Sequence, residues 1–317
     1  MKKKICLVII YNHNFERNIS VLNRIYAGRF SHVYHVMPFY RGDDPKVIGV
    51  YENSYQFSGY ITQFYLQLGK HDFSSFVFVA DDMVINPSIN ENNILERLGS
   101  ENAQAFITGA KLIEEEKAFC KWGSALGAFR NFSSRNNACE FLRQLPSIEE
   151  ATRLMTNHGF DCSKGVTERM LRIATYCVRA QPYAYAGLRP YLISSFALKH
   201  PRWFSSGKKL YPLLYGYSDF LMVSAEKMPD FIHLCGVFAA ARIFVEVAIP
   251  TALYLCCDKV KTVADIGVKC EIGVSDYSVR DYLEKKYEFS FKRLTENFPE
   301  DYLFIHSVKL SRWKDLP

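Results

Sequence analysis

No CxxC pair occurs among the nine cysteines, which stand singly apart from Cys256-Cys257 inside an apolar run. Neither a zinc site nor a disulfide framework is therefore legible, and the odd number favours a reducing compartment. The apolar stretch behind the basic start runs only from Ile5 to Ile10, too short for the core of a secretory signal, so a cytoplasmic location is the expectation. No block of Lys or Arg stands out. A formal net charge of +6 is mild and suits an anionic small molecule or an anionic membrane surface as well as nucleic acid. Without such a block, nucleic acid is not an expected partner. Internal repeats and low-complexity segments are also missing, and 49% hydrophobic with 23% charged residues excludes disorder and fibre.

Aromatic residues are plentiful, 20 Tyr and 24 Phe in 317 residues. That abundance fits surfaces that stack on sugars or bases, and an aromatic-rich core explains it equally well. Ile5 to Tyr11 is nearly continuous in apolar residues and predicts a strand buried on both faces. Ile19, Leu22, Ile25 and Tyr26 recur at helical spacing within 15–30, and Ser31 to Phe39 returns to a strand pattern. The order repeats with a strand over 46–51, a helix over 55–68 and a strand over 75–80. Such alternation implies an α/β fold with a mostly parallel, Rossmann-like central sheet and helices on both faces. Sites in these sheets lie beyond the carboxyl ends of the strands.

Later segments are less regular. Helices are expected over 91–100 and 147–156, a mixed strand and loop region over 118–137, and a long connection over the active face at 183–209. A strand interrupted by Gly216 is expected within 210–223. The apolar run 229–257 has the composition of a membrane span, yet Arg242 and Glu246 four residues apart and Pro250 argue for one core helix presenting a charged pair. A charged helix near 277–287 and a last segment over 304–313 close the chain.

Asp81-Asp82, directly after the strand Phe76 to Ala80, is the strongest local signal. Adjacent carboxylates in a dry site repel, and Mg²⁺ or Mn²⁺ shared with substrate phosphates removes that cost. The structural alternative is a turn cap and a solvated Asp. His306 can complete the coordination of an ion held by Asp82 and Asp81, while Lys309 and Arg312 offer charges for a diphosphate. Gly216-Tyr217-Ser218-Asp219 places a carboxylate at a strand irregularity, where it can meet sugar hydroxyls. Glu246 is the best candidate for a catalytic carboxylate facing an acceptor, with Asp219 second. On this reading Asp82→Ala abolishes activity and leaves apo stability nearly unchanged.

The series of strands and helices ending in Ala80-Asp81-Asp82 resembles the GT-A nucleotide-sugar glycosyltransferases, especially bacterial enzymes of O-antigen and capsule assembly. In that family the acidic motif is usually Asp-x-Asp; here the two acids are adjacent. His306 with Arg312 and Trp313 is similar to the His-x5-Lys-Pro-Trp ending of the glycogenin-like branch, with Arg in place of Lys and no Pro. The resemblance implies a single GT-A-like domain over 1–317, with a nucleotide-sugar-binding half in 1–130 and an acceptor-binding half with a C-terminal closing segment in 131–317. It implies that Tyr11, Asn12, Asn14 and Ser218 help hold a nucleotide-sugar, a UDP-sugar first of all. It further implies that Asp81 and Asp82 take the metal and diphosphate, and that a glycan or lipid-linked glycan of lipopolysaccharide or capsule accepts the sugar.

Two other readings stand beside this one. A nucleotidyltransferase shares the sheet and metal chemistry, but would carry a Gly-rich loop after the first strand, where Tyr11-Asn12-His13-Asn14 has no Gly. A non-catalytic adaptor of an envelope-assembly complex would dock through the aromatic, basic stretch 183–209. Peripheral contact with the inner face of the cytoplasmic membrane is a further expectation, from Arg202, Trp203, Lys208 and Lys209.

Overall fold

The first strand, β1 (Ile5–Ile10), has all six side chains buried, as a strand covered on both faces must. The computed structural model describes residues 3–115, 128, 139–164, 167, 209–272 and 284–317. Following β1 come α1 (Arg17–Tyr26), β2 (His32–Pro38), β3 (Val47–Val50), α2 (Ser58–Leu68), β4 (Ser75–Ala80), β5 (Met83–Ile85), α3 (Ile94–Arg97), β6 (Ala105–Ile107) and β7 (Lys111–Leu112). The helices α4 (Cys139–Arg143) and α5 (Ile148–Asn157) precede β8 (Leu214–Tyr215), β9 (Phe220–Ser224), α6 (Met228–Ala240) and α7 (Val245–Cys256). The chain finishes with β10 (Val260–Lys261), α8 (Val263–Ile266), β11 (Lys269–Ile272), α9 (Phe291–Glu296) and β12 (Tyr302–His306).

Seven strands form the central sheet in the order β10-β6-β9-β4-β1-β2-β3, and β9 alone among them runs antiparallel to its neighbours. The fold is therefore α/β with a mostly parallel sheet. Alternate residues of β1 feed two cores. Cys6, Val8 and Ile10 pack with α2, α6 and α7, whereas Ile5, Leu7 and Ile9 pack with Leu22 and Tyr26 of α1 and with a small sheet of order β11-β12-β5. Leu22 and Tyr26, four apart, are the buried face of α1. Burying each such side chain contributes roughly 1.5–3 kcal/mol, which is why the amphipathic spacing was decisive. A third pairing, β7 with β8, joins Leu112 to Leu214 and Lys111 to Tyr215.

Several expectations are corrected. The run 229–257 is two helices, not one. Arg242 adopts a left-handed φ of 57° after α6, with Ile243 N–H bonded to Phe238 O and Arg242 N–H to Ala239 O. This is the two-bond closure that ends helices, normally built with Gly in the left-handed position. Arg242 consequently pairs with Glu52 at 2.9 Å, and not with Glu246. The expected strand over 210–223 is split between two sheets, because Gly216 passes so close to Gly109 that a Cβ there would lie 2.2 Å from its carbonyl oxygen. Of the helix expected over 91–100 only α3 is helical. The regions read at 118–137 (Ala128 excepted), 183–208 and 273–283 lie outside the described residues, Arg202, Trp203 and Lys208 among them. No helix among the described residues is long and apolar enough to cross a membrane.

Candidate functional site

Three segments meet at the carboxyl end of β4. Asp81 N–H continues the parallel ladder by donating to Ile10 O at 2.9 Å, so both acids leave the sheet beside the end of β1. Because β9 is reversed, its first residues lie at that same edge, and Ala80 N–H donates to Asp219 O at 2.9 Å. Strand β12 runs antiparallel to β5 with His306 opposite Met83, and Val308 N–H then donates to Asp82 O at 2.6 Å. Residues far apart in sequence thus share one rim, as open α/β sheets favour.

The side chains interlock there. His306 Nε2 donates to Asp82 Oδ1 at 2.9 Å and stands 3.8 Å from Asp219 Oδ2, while Lys309 Nζ donates to the other oxygen of Asp82. Asn18, on α1, donates to Asp81 Oδ2 at 3.3 Å. The Tyr217 ring packs at 5.5 Å from the His306 ring, which fixes the imidazole over the acids. His306 Nδ1 is buried with no hydrogen-bond partner among the described residues.

These contacts drive the two neighbouring carboxyls apart in acidity. Burial and the Asp82 charge push Asp81 up to about 7, with Asn18 and the Asn12 backbone amide opposing. Burial also pushes on Asp82, but His306 and Lys309 outweigh it and hold that carboxyl at about 2. Asp219 is raised, first by burial and then by Asp82, with His306 pulling the other way. Glu246, in the first turn of α7, is raised to about 7 by burial and by the Asp219 charge. Its position follows from Pro250. Proline has no N–H for the carbonyl four residues before it, and Glu246 O instead accepts Gly216 N–H at 2.9 Å, tying α7 to the loop that leads to Asp219.

No protein-family model matches this sequence, and none of the curated proteins compared with it matches.

Asp81, Asp82, Asp219, His306, Lys309 and Glu246 form one charged neighbourhood; the remaining sequence candidates have other surroundings. Tyr11 is fully buried and donates to His35 Nδ1 at 2.9 Å, with His35 Nε2 on Asn23 Oδ1 at 3.0 Å. Burial lowers His35 to about 4, so the imidazole is neutral and this tautomer follows from its two partners. Ser218 is buried and donates to Gly216 O. Arg312 pairs at 2.7 Å with the buried Glu284. Asn12 is half-buried, with its backbone amide rather than its side chain bonded to the Asp81 carboxyl, and Asn14 is exposed. Beside them stands an aromatic rim that sequence reading missed: Phe39 and Tyr51, at the carboxyl ends of β2 and β3, are exposed and meet edge to face at 6.1 Å. Only their aromatic character was available as a signal, and 44 Tyr and Phe residues share it.

The donor set is right in kind for a hard divalent cation, with oxygen ligands from Asp82 and Asp81. Both oxygens of Asp82 are nevertheless in use, and among the described residues no three His, Cys, Asp or Glu side chains are grouped to hold a metal ion.

Proposed function

We propose that this chain is a GT-A-type glycosyltransferase that moves a sugar from a nucleotide diphosphate, a UDP-sugar first of all, to a glycan or lipid-linked acceptor of surface polysaccharide. The single observation that carries the reading is the convergence of Asp81, Asp82, Asp219, His306 and Lys309 at the β4 edge, with Glu246 close by. One edge of a parallel sheet thereby offers acids for a sugar-phosphate complex and a cation for its diphosphate.

Each residue has a role in the proposed transfer. Asn12 and Asn14, with the exposed rings of Phe39 and Tyr51, form the face for the nucleoside, because aromatic faces stack on bases. Lys309 offers three N–H donors to the diphosphate oxygens. Asp219 orients the sugar hydroxyls. Glu246, poised near neutrality, takes the proton of the acceptor hydroxyl as its oxygen bonds to the anomeric carbon and the bond from that carbon to the diphosphate oxygen breaks. Mn²⁺ or Mg²⁺ held by Asp82 and Asp81 would neutralise charge on the departing diphosphate. A peripheral position on the inner face of the membrane belongs to the same proposal, since a lipid-linked acceptor is presented there.

Isothermal titration of the whole protein with a panel of nucleoside diphosphates and their sugars, with and without Mn²⁺, tests this. Binding of one nucleotide-sugar that strengthens with Mn²⁺ and is lost in Asp82→Asn is the expected result. Absence of binding across the panel would remove the proposal.

A further inference from the structure

Between α6 and α7 the chain alternates in burial: Arg242 is exposed, Ile243 buried, Phe244 half-buried, Val245 buried and Glu246 half-buried. The two apolar anchors hold the linker to the core, so Arg242, Phe244 and Glu246 share its accessible side. The loop after β3 runs beside it in matching order. Glu52 meets Arg242 at 2.9 Å, and Tyr55 meets Phe244 with ring centroids 5.8 Å apart. Tyr55 is 64% exposed, and its backbone amide is fixed by the side chain of Asn53 at 3.0 Å. One short row thus leads from an ion pair, past two rings, to the proposed base. Folding alone does not account for two features of it. Arg242 holds the left-handed position that closes α6, where Gly bears no Cβ penalty, and an ion pair exposed on the arginine side offsets little of that penalty. Glu52 receives its bonds on Oε1, from Arg242 Nη1 and from the backbone and side-chain amides of Asn53, while Oε2 has none among the described residues.

We propose that this row is a subsite for a second sugar of the acceptor, so that the acceptor is an oligosaccharide and not a single sugar or a simple alcohol. The rings of Tyr55 and Phe244 take the C–H face of a pyranose, Arg242 donates to its hydroxyls, and Glu52 Oε2 accepts from them. An acyl chain laid on the same row would leave those polar atoms without partners, which favours a saccharide over a lipid. The role as an acceptor subsite rests on the transferase reading, through Glu246; the affinity for saccharide does not. The sugar held here stands one residue away from the hydroxyl that Glu246 deprotonates. Contacts to such a non-reacting part of the substrate select the chain to be extended and supply binding energy that the reacting sugar alone lacks.

The whole protein, fluorescently labelled and applied to an array of mono-, di- and oligosaccharides of bacterial surface polysaccharides, tests this without turnover, with the nucleotide-sugar titration run alongside. The wild type is expected to bind oligosaccharides and not their component monosaccharides. Tyr55→Ala and Arg242→Gly should each weaken that binding about tenfold, the loss of one stacked ring or one charged hydrogen-bond donor. Tyr55→Phe keeps the ring and should bind as the wild type does. Arg242→Gly suits the left-handed position and should unfold at the same or a higher temperature, so its loss of binding is not a loss of fold. A lowered unfolding temperature in Arg242→Gly with saccharide affinity unchanged makes the ion pair structural and overturns the inference. Saccharide binding that is absent, or equal in the wild type and both variants, overturns it too; nucleotide-sugar binding would then leave the transferase reading standing. Saccharide binding weakened in both variants, with no nucleotide-sugar bound by any form, keeps the subsite and removes the transferase. Retention on phosphatidylglycerol vesicles that is lost in Tyr55→Ala, with no saccharide bound, marks the ring as a membrane contact and overturns the inference.

Discussion

The carbonyl oxygen of Glu246 is bonded to the N–H of Gly216 at 2.9 Å, outside its own helix. That bond exists because Pro250 leaves the carbonyl without a helical partner, and it holds the one near-neutral carboxyl of α7 against the loop carrying Asp219.

Gly216→Ala tests how tightly this junction is set. A Cβ at 216 would lie 2.2 Å from Gly109 O, a backbone atom that has no rotamer by which to retreat. A loss of about 1–3 kcal/mol in urea unfolding is expected, together with weakened transfer because Asp219 and Glu246 shift apart.

Asp82→Ala should lower activity by at least about a hundredfold in a radiolabelled sugar-transfer assay. It should also destabilise the apo protein, contrary to the expectation from sequence. Removing the carboxylate strands the buried Nε2–H of His306, and an unsatisfied buried donor costs about 1–3 kcal/mol. Calorimetric unfolding of the variant and of Asp82→Asn checks the point.

Glu246 fixes the sign of a pH dependence. Its folded value of about 7 lies above its ordinary 4.5, so between these limits the native state holds a proton that the unfolded chain has lost. Stability from this group is fully present below about 4.5 and is lost as pH rises through about 7. In Glu246→Gln, the fall in unfolding free energy across that window should flatten, leaving the parallel contribution of Asp81. The same variant should lower the transfer rate on the order of 10²-fold and remove its rise near pH 7, if Glu246 receives the acceptor proton.

Tyr11→Phe separates packing from recognition. The hydroxyl bonds a buried neutral His35, so its removal should cost about 1–3 kcal/mol of stability and leave UDP affinity unchanged. A weakened UDP titration at unaltered stability would instead place Tyr11 against the nucleoside.

Much of the first half of the fold was legible because its signals are local. The continuous apolar runs at 5–10 and 75–80 and the spacing of Leu22 and Tyr26 state their own burial. The break between α6 and α7 was hidden for a physical reason: Arg242 occupies a left-handed position usually marked by Gly, so the apolar run reads as unbroken. The acid pair was visible as two charges after a strand, and His306 and Lys309 were suspected, but that both grip Asp82 depends on β12 pairing with β5 across most of the chain. Arg312 shows the converse. Its partner Glu284 is a buried acid that nothing in the local sequence distinguishes from a solvated one.

The short pairing of Leu112 with Leu214 and Lys111 with Tyr215 brings the two ends of a long excursion together a few residues from Gly216. Of what lies between them, α5 buries Ala151 and Met155 in the same core as α7, and His158 just after it is bonded to Cys257 O at 2.9 Å, so this part is fastened to the body of the fold. Trimming α5 would therefore empty the core that backs α7, the helix carrying Glu246, and would disturb the acids at the β4 edge from behind.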